Sequence, residues 1–415
     1  MLPGGAMTQT ACRFCSAPVD AVFADLGMSP LANSYLPPER ANSMEPFYPL
    51  RALVCGKCFL VQLEEFETPE RIFSDYAYFS SYSSSWLEHS RHYSGQMIER
   101  LGLTEASHVV EIASNDGYLL QFFHDRKIPV LGIEPAANVA KVALQKGIPT
   151  LVEFFGEETA RSLASESAAD LLLGNNVLAH VPDINDFVGG MKILLKPGGV
   201  ITMEFPHLMR LIEENQWDTI YHEHFSYFSF LTVSAVFEGH GLRLFDVEEL
   251  RTHGGSLRIY GCHADDAEKP ESEAAQELRE RERAAGYERL DTYLGYGRRV
   301  EADKRQILSF LIDLKQQGLR VVGYGAPAKG NTLLNYCGVR RDFIDYTCDL
   351  NPHKQGHFLP GSHIPIRSPD AIREDKPDVV LILPWNLKDE IVEQLDFIRE
   401  WGGRFAARTP ELTLL

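Results

Sequence analysis

No stretch of this 415-residue sequence is apolar over the roughly 18 residues that a membrane-spanning helix needs. The opening Met1-Leu2-Pro3-Gly4-Gly5-Ala6-Met7 has neither a basic start nor an apolar core, so a secretion signal is not expected and a cytoplasmic location is. Positive charge is short: 40 Lys and Arg face 58 Asp and Glu, a formal charge of -18 that repels a phosphate backbone or an anionic membrane. Nucleic-acid and membrane partners are therefore not expected. Cysteine is scarce as well. Seven residues, an odd number, argue against a disulfide framework. There is no short-period repeat and no heptad seam that would demand assembly, and a monomer is expected. What remains is a globular composition, 44% apolar and 24% charged, in a chain long enough for two or three domains.

Four of the cysteines form two C-x-x-C pairs, Cys12 with Cys15 and Cys55 with Cys58. Two such pairs supply a tetrahedral thiolate set for zinc, and a small strand-rich module over residues 8–72 needs that support. A closed four-cysteine site leaves no open coordination position, so this zinc is expected to be structural. Over residues 73–262 the pattern changes to short buried strands alternating with helices. His108-Val109-Val110-Glu111-Ile112 runs into the polar turn Ala113-Ser114-Asn115-Asp116-Gly117, and a second strand ends about twenty residues later at Glu134. This is the pattern of a doubly wound α/β domain with its ligand over the carboxyl ends of the strands. Residues 263–318 read as a solvated helical connector. Residues 319–415 open with Val321-Val322-Gly323-Tyr324-Gly325 and read as a second, smaller Rossmann-like unit.

A strand, a turn, a helix and a later carboxylate suit either a dinucleotide or S-adenosylmethionine, because both present ribose hydroxyls to that carboxylate. The turn favours the second. Dinucleotide binding needs glycines that let the backbone approach a pyrophosphate, and Ala113, Asn115 and Asp116 do not supply them. S-adenosylmethionine carries cationic sulfonium and ammonium groups, which suit Glu111, Asp116 and Asn175. Ser114, Asn115, Gly117, Glu134 and Asn176 complete the candidate cofactor set. The densest chemistry lies at Thr219-Ile220-Tyr221-His222-Glu223-His224-Phe225-Ser226-Tyr227. Neutral imidazole beside a carboxylate removes carbon-bound protons near neutral pH, although spacing alone leaves a His-rich loop or a metal site open. In an extended segment His222 and His224 share a face, so geometry does not separate them. His253 precedes a Gly-Gly turn that can admit a ligand. Lys329 and Asn331 lie where a helix N-terminus offers N–H groups to an anion, with the diphosphate of a nucleotide sugar the preferred ligand.

Taken in order, these blocks resemble the bacterial sugar C-methyltransferases that act on C3 of nucleotide-linked 4-keto-6-deoxy sugars, the D-tetronitrose C-methyltransferase-like enzymes. The resemblance runs through the four cysteines, Asp75-Tyr76-Ala77-Tyr78, Glu111 to Gly117, Glu134-Pro135, His180, Tyr221-His222-Glu223-His224, His253-Gly254-Gly255-Ser256 and Gly323 to Asn331. It implies a zinc module, a central S-adenosylmethionine domain and a C-terminal domain that helps hold a dTDP- or GDP-linked sugar. It also implies His224 as general base, with Tyr221, Glu223, His180 and Tyr76 around the sugar. Ala113 and Asn115 depart from the glycines common in methyltransferase turns.

The main rival is an NAD(P)-dependent nucleotide-sugar oxidoreductase using the C-terminal unit. Gly323 and Gly325 supply two of its glycines and Asp349 its carboxylate, but position 328 is Ala. A zinc-ribbon RNA-binding protein is disfavoured by the acidic charge, and a non-catalytic scaffold by the Tyr-His-Glu-His cluster.

Overall fold

A computed structural model describes residues 10–68, 80–82, 84–408 and 411–415. Near the N-terminus, β1 (Ala21–Ser29), β2 (Tyr48–Val54) and β3 (Val61–Leu63) form an antiparallel sheet. The central sheet takes β4 (Val109–Ile112), β5 (Val130–Ile133), β6 (Thr150–Leu151), β7 (Ala169–Asn175) and β8 (Leu195–Pro206). A two-residue strand β9 (Ser226–Tyr227) then returns to the edge of β3, and β10 (Leu242–Leu250) and β11 (Ser256–His263) finish the central sheet. Its order is β10-β11-β8-β7-β4-β5-β6, with β11 antiparallel to both neighbours and the other pairs parallel. β4 lies between β5 and β7, so the strand order reverses there and a crevice opens over their carboxyl ends.

Helices cover both faces of this sheet. α1 (Ser84–Leu101) and α2 (Ala137–Gln145) pack on one, burying Tyr93, Met97 and Ala143 against Val109, Leu171 and Leu173. α3 (Glu157–Ser167), α4 (Ile184–Leu194), α5 (Phe230–Gly239) and α6 (Glu273–Ala284) cover the other, against Val110, Ile112 and Leu172. Burial on both faces explains why Val109-Val110-Glu111-Ile112 is apolar almost throughout rather than alternating. The lone carboxylate in that run is fully buried.

α7 (Tyr296–Gln316) corrects the expectation of a solvated connector. Tyr296, Val300, Ile307, Leu311 and Leu314 recur at helical spacing and are buried in one cluster with Phe23, Leu50 and Val61 of the N-terminal sheet and Val321 and Val379 of the C-terminal unit. Asp303 is buried within the stripe, where it accepts from Trp217 Nε1 at 2.6 Å. The helix is thus a spine shared by two units. The C-terminal sheet comprises β12 (Val321–Tyr324), β13 (Thr347–Cys348), β14 (Ile366–Arg367), β15 (Val379–Ile382), β16 (Arg404–Arg408) and β17 (Leu412–Leu414). Its order is β14-β13-β12-β15-β16-β17, parallel except for the final hairpin, with a second reversal of order at β12. After β12, α8 (Ala328–Cys337) begins at Pro327. No helix of the described residues is long and apolar enough to cross a membrane.

Candidate active site

Each cysteine pair sits on a tight turn of the same geometry. Ser16 N–H donates to Cys12 O and Phe59 N–H to Cys55 O, both at 3.0 Å, and Ser16 and Phe59 both adopt positive φ. The two turns bring all four Sγ atoms within 4.8 Å of one another, with Cys12–Cys58 and Cys15–Cys55 at 3.5 Å. Tetrahedral zinc with bonds of about 2.3 Å sets sulfur atoms about 3.8 Å apart, so the cluster fits the ion closely. All four expected ligands are brought together, and none of the four lines the main cleft, which accords with a structural metal.

The main cleft, about 890 Å³, lies over the carboxyl ends of β4 and β7 and is closed by the other two units. On the cofactor side it is lined by Asn115, Glu134, Asn175 and Asn176. Ala113 and Asn115 take positive φ (58° and 51°), which lets the turn double back without glycine. Asn115 N–H donates to Glu134 Oε2 at 2.9 Å, and Ala136 N–H to Oε1 at 2.8 Å. Burial pushes the Glu134 carboxyl up, and these two N–H groups oppose that. Asn176 Oδ1 is buried without a hydrogen-bond partner. An open amide oxygen beside an oriented carboxylate fits the ammonium and ribose groups of S-adenosylmethionine. Phe154, Phe155 and Phe187 supply apolar wall.

The rest of the expected cofactor set stands behind this turn. Glu111 is fully buried in the sheet, and burial raises its carboxyl well above the ordinary range, with Glu134 and Asp116 adding to the effect. Ser114 is buried beside Gly132. Asp116 pairs with Lys146 Nζ at 3.2 Å instead of facing the cleft. Gly117, at φ 75°, lets the turn pack on Ile148, whose Cγ1 lies 3.1 Å from where a Cβ would stand.

Opposite lies the Tyr-His-Glu-His segment. It is a turn rather than an extended strand, closed by His224 N–H donating to Tyr221 O at 2.9 Å. That turn separates the two histidines. His222 points to the N-terminal sheet, with Nε2 3.1 Å from Pro49 O, whereas His224 lines the cleft with Tyr221, Glu223 and His180. The pairing of Ser226 with Gln62 fixes the segment on the N-terminal sheet. His224 Nδ1 lies 3.2 Å from Thr219 O and His180 Nδ1 2.7 Å from Glu223 O. A carbonyl only accepts, so each ring carries its proton on Nδ1 and keeps a lone pair on Nε2. Burial, then the neighbouring His180, drives His224 well below its usual pKa; burial takes His180 down to about 4. The two rings are 4.7 Å apart, and Tyr221 lies 4.1 Å from His224, centroid to centroid.

The Glu223 carboxylate is not what orients the His180 ring. The backbone carbonyl of Glu223 does that, while Asn33 Nδ2 donates to Oε2 at 2.7 Å. Burial raises this carboxyl to about 7 against the donors from Asn33 and the charge of Lys354.

The third wall belongs to the C-terminal unit. Lys329 Nζ donates to Asn386 Oδ1 at 2.8 Å and sits 4.5 Å above the Trp385 ring; burial lowers it to about 8. Lys354, His353 and His357 line the same side. His253 also lines the cleft, its Nε2 3.1 Å from Asn176 Nδ2, and burial lowers it to about 4. The expected anion contact of Asn331 is corrected: it is buried away from the cleft and donates to Ala32 O at 2.6 Å. Asp349, the carboxylate of the oxidoreductase alternative, instead accepts from Ala326 N–H and Asn351 N–H. Tyr76 and the Asp75–Tyr78 segment lie outside the described residues. Sequence reasoning missed Asn33, Tyr35, Trp86 and Lys354. Only their neighbourhood in space marks them.

Family models match three successive stretches of the chain. A domain described as zinc-binding covers residues 12–73, a methyltransferase domain residues 86–247, and the C-methyltransferase C-terminal domain residues 251–410. The C-methyltransferase NovU of Streptomyces niveus is 37% identical over 401 residues, 96% of this chain and 95% of that one. A ubiquinone biosynthesis O-methyltransferase of Rhodopseudomonas palustris is 26% identical over 96 residues, 23% of this chain and 38% of the other. Among solved structures, the PH0226 protein of Pyrococcus horikoshii aligns with 48% of this chain and 99% of its own at 14% identity and a TM-score of 0.37, a likeness too slight to bear on function.

Proposed function

Because the chain belongs to the S-adenosylmethionine-dependent C-methyltransferases, we propose that it methylates C3 of a nucleotide-linked 4-keto-6-deoxy sugar through an enolate formed by His224. The observation that carries this reading is a single cleft with opposed walls. Glu134, Asp183 and the amides of Asn115, Asn175 and Asn176 suit a cationic methyl donor, while Lys329, Lys354, His353 and His357 suit a diphosphate. Neutral imidazoles lie between them. These imidazoles, with the Glu223 carboxyl raised by burial, offer acid–base chemistry.

The ketone at C4 makes the C3 proton acidic. His224 Nε2 takes that proton, and the C3–H electron pair moves into the C3–C4 bond as charge develops on the C4 oxygen. Burial pushes Glu223 up and His224 down, which supports Glu223 as acid and His224 as base. Neutral Glu223 donates a hydrogen bond to the C4 oxygen as the charge develops there. A preorganised donor of this kind is worth about 2.7–4 kcal/mol. Tyr221 and His180 hold the ring against the base. Glu134, Asn115, Asn175 and Asn176 would hold S-adenosylmethionine, which when bound would supply an electrophilic methyl group to C3 and keep the C–S electron pair on sulfur. His224 then releases its proton to solvent.

The test is mass spectrometry of the zinc-loaded protein with S-adenosylmethionine and a panel of dTDP- and GDP-linked 4-keto-6-deoxy sugars, with and without a 3-amino group. One methyl gained by the sugar, matched by S-adenosylhomocysteine, is expected. Neither methyl transfer nor solvent deuterium at C3 with any member of the panel would end this reading of the acceptor.

A further inference from the structure

The loop between β1 and β2 leaves the N-terminal module and enters the cleft, where Leu31, Asn33, Ser34 and Tyr35 form part of the wall. It is gripped there by the C-terminal unit. Asn331 Nδ2 donates to Ala32 O and Tyr35 Oη to Ala326 O, both at 2.6 Å. Leu36 and Phe358 exchange backbone hydrogen bonds of 3.0 and 2.8 Å. These ties bracket Asn33, whose Nδ2 stands 2.7 Å from Glu223 Oε2.

We infer that Asn33 is a positioning residue for the reaction: it fixes the Glu223 carboxyl and decides which of its oxygens carries the proton. The inference rests on the reading above, in which neutral Glu223 serves the C4 oxygen. An amide Nδ2 only donates, so a proton on Oε2 would place donor against donor. Oε2 is therefore held as acceptor and the proton goes to Oε1. The same hydrogen bond favours the ionised form and holds the carboxyl near neutrality against burial. The other groups acting on Glu223 are the Asn33 backbone N–H and the charge of Lys354. The neighbouring Tyr35 hydroxyl lies 2.6 Å from Ala326 O and 3.2 Å from Asn33 Oδ1, away from the carboxyl, and His180 faces the Glu223 backbone oxygen, not the carboxyl. The module that binds the metal thus reaches directly into the chemistry, and the C-terminal unit holds it in place.

Two measurements on the full-length, zinc-loaded chain test this. Carbon-13 NMR titration of Glu223, without substrate, compares wild type with Asn33→Ala and Asn33→Asp. Loss of the donor is expected to raise the Glu223 midpoint by about one pH unit in Asn33→Ala, and further in Asn33→Asp, where a like charge is added. In parallel, kcat for methyl transfer at pH 7 should fall about tenfold in Asn33→Ala with KM for S-adenosylmethionine unchanged. The alkaline limb of the rate profile should move up with the NMR midpoint, and Asn33→Gln, which restores a donor, should recover part of the rate. An unmoved midpoint in Asn33→Ala overturns the inference, as does a rate loss without movement of the limb, which would mark Asn33 as merely structural. Should Asn33→Ala not fold, an unmoved midpoint in Asn33→Asp overturns the inference in the same way. A wild-type protein that neither methylates nor exchanges C3 defeats the acceptor reading instead, and leaves the titration standing as a separate result.

Discussion

Replacing His224 by Asn removes the Nε2 lone pair that faces the cleft and keeps an amide N–H able to meet Thr219 O, which His224 Nδ1 contacts at 3.2 Å. Proton transfer by a positioned side chain is worth about 10²–10⁴ in rate, or roughly 3–5 kcal/mol of barrier. The lower end is expected here. His180, whose ring lies 4.7 Å away, holds the same tautomer and can take part of the load. The informative assay is deuterium entry at C3 in D₂O without methyl donor, read by mass spectrometry, because it isolates proton removal from methyl transfer. His224→Asn should slow exchange about 10²-fold, and adding His180→Asn should slow it at least tenfold further. The pH dependence is also fixed. Burial holds both imidazoles below the ordinary 6.5, so the acid limb lies below that pH, while ionisation of Glu223 near 7 brings the rate down on the alkaline side. A folded His224→Asn protein that exchanges within about threefold of wild type would refute the base assignment. If His180→Asn alone abolishes exchange, the base is His180.

Glu223→Gln should flatten the alkaline limb and stabilise the fold at high pH. A carboxyl raised from 4.5 to about 7 in the folded state carries its full stability below the unfolded pKa and loses it as pH rises through 7. The variant should therefore match wild type near pH 4 and exceed it by about 3 kcal/mol at pH 8, as read by urea denaturation; equal stability at pH 8 would contradict the burial of this group. Metal analysis should find one zinc per chain, and Cys12→Ser should lose it. Because residues 30–36 extend from that module into the cleft, C3 exchange should fall with the zinc while calorimetric binding of S-adenosylmethionine persists. Full exchange in a zinc-free protein would disprove this coupling. Asp218 accepts from Trp385 Nε1 at 2.7 Å and Arg408 at 3.0 Å, all buried, so Asp218→Ala leaves a guanidinium half-paired and should cost about 3–5 kcal/mol of stability. A melting temperature unchanged from wild type would contradict that.

What the sequence by itself determined is local. Val109 to Gly117 announces a strand, a turn and a helix because backbone sterics and short-range burial act within a few residues. The two C-x-x-C pairs announce a metal because each needs only one tight turn. Glu134, at the end of the next strand, follows from the same regularity, and so does the presence of a reactive segment at Tyr221 to His224. Which histidine faces the cleft was not local. His224 was favoured by family likeness, and only the turn closed on Tyr221 O, with Ser226 paired to Gln62, separates it from His222. Asn331 sits on the right helix for an anion, yet its amide is taken by Ala32, 299 residues away. Asn33 meets Glu223 across 190 residues, and nothing in Leu31-Ala32-Asn33-Ser34-Tyr35 marks it as part of a reaction. α7 reads as polar until the faces that bury its apolar stripe are known. Such contacts arise when separate units pack around one cleft. Their partners are fixed by that packing and not by the neighbours each residue has along the chain.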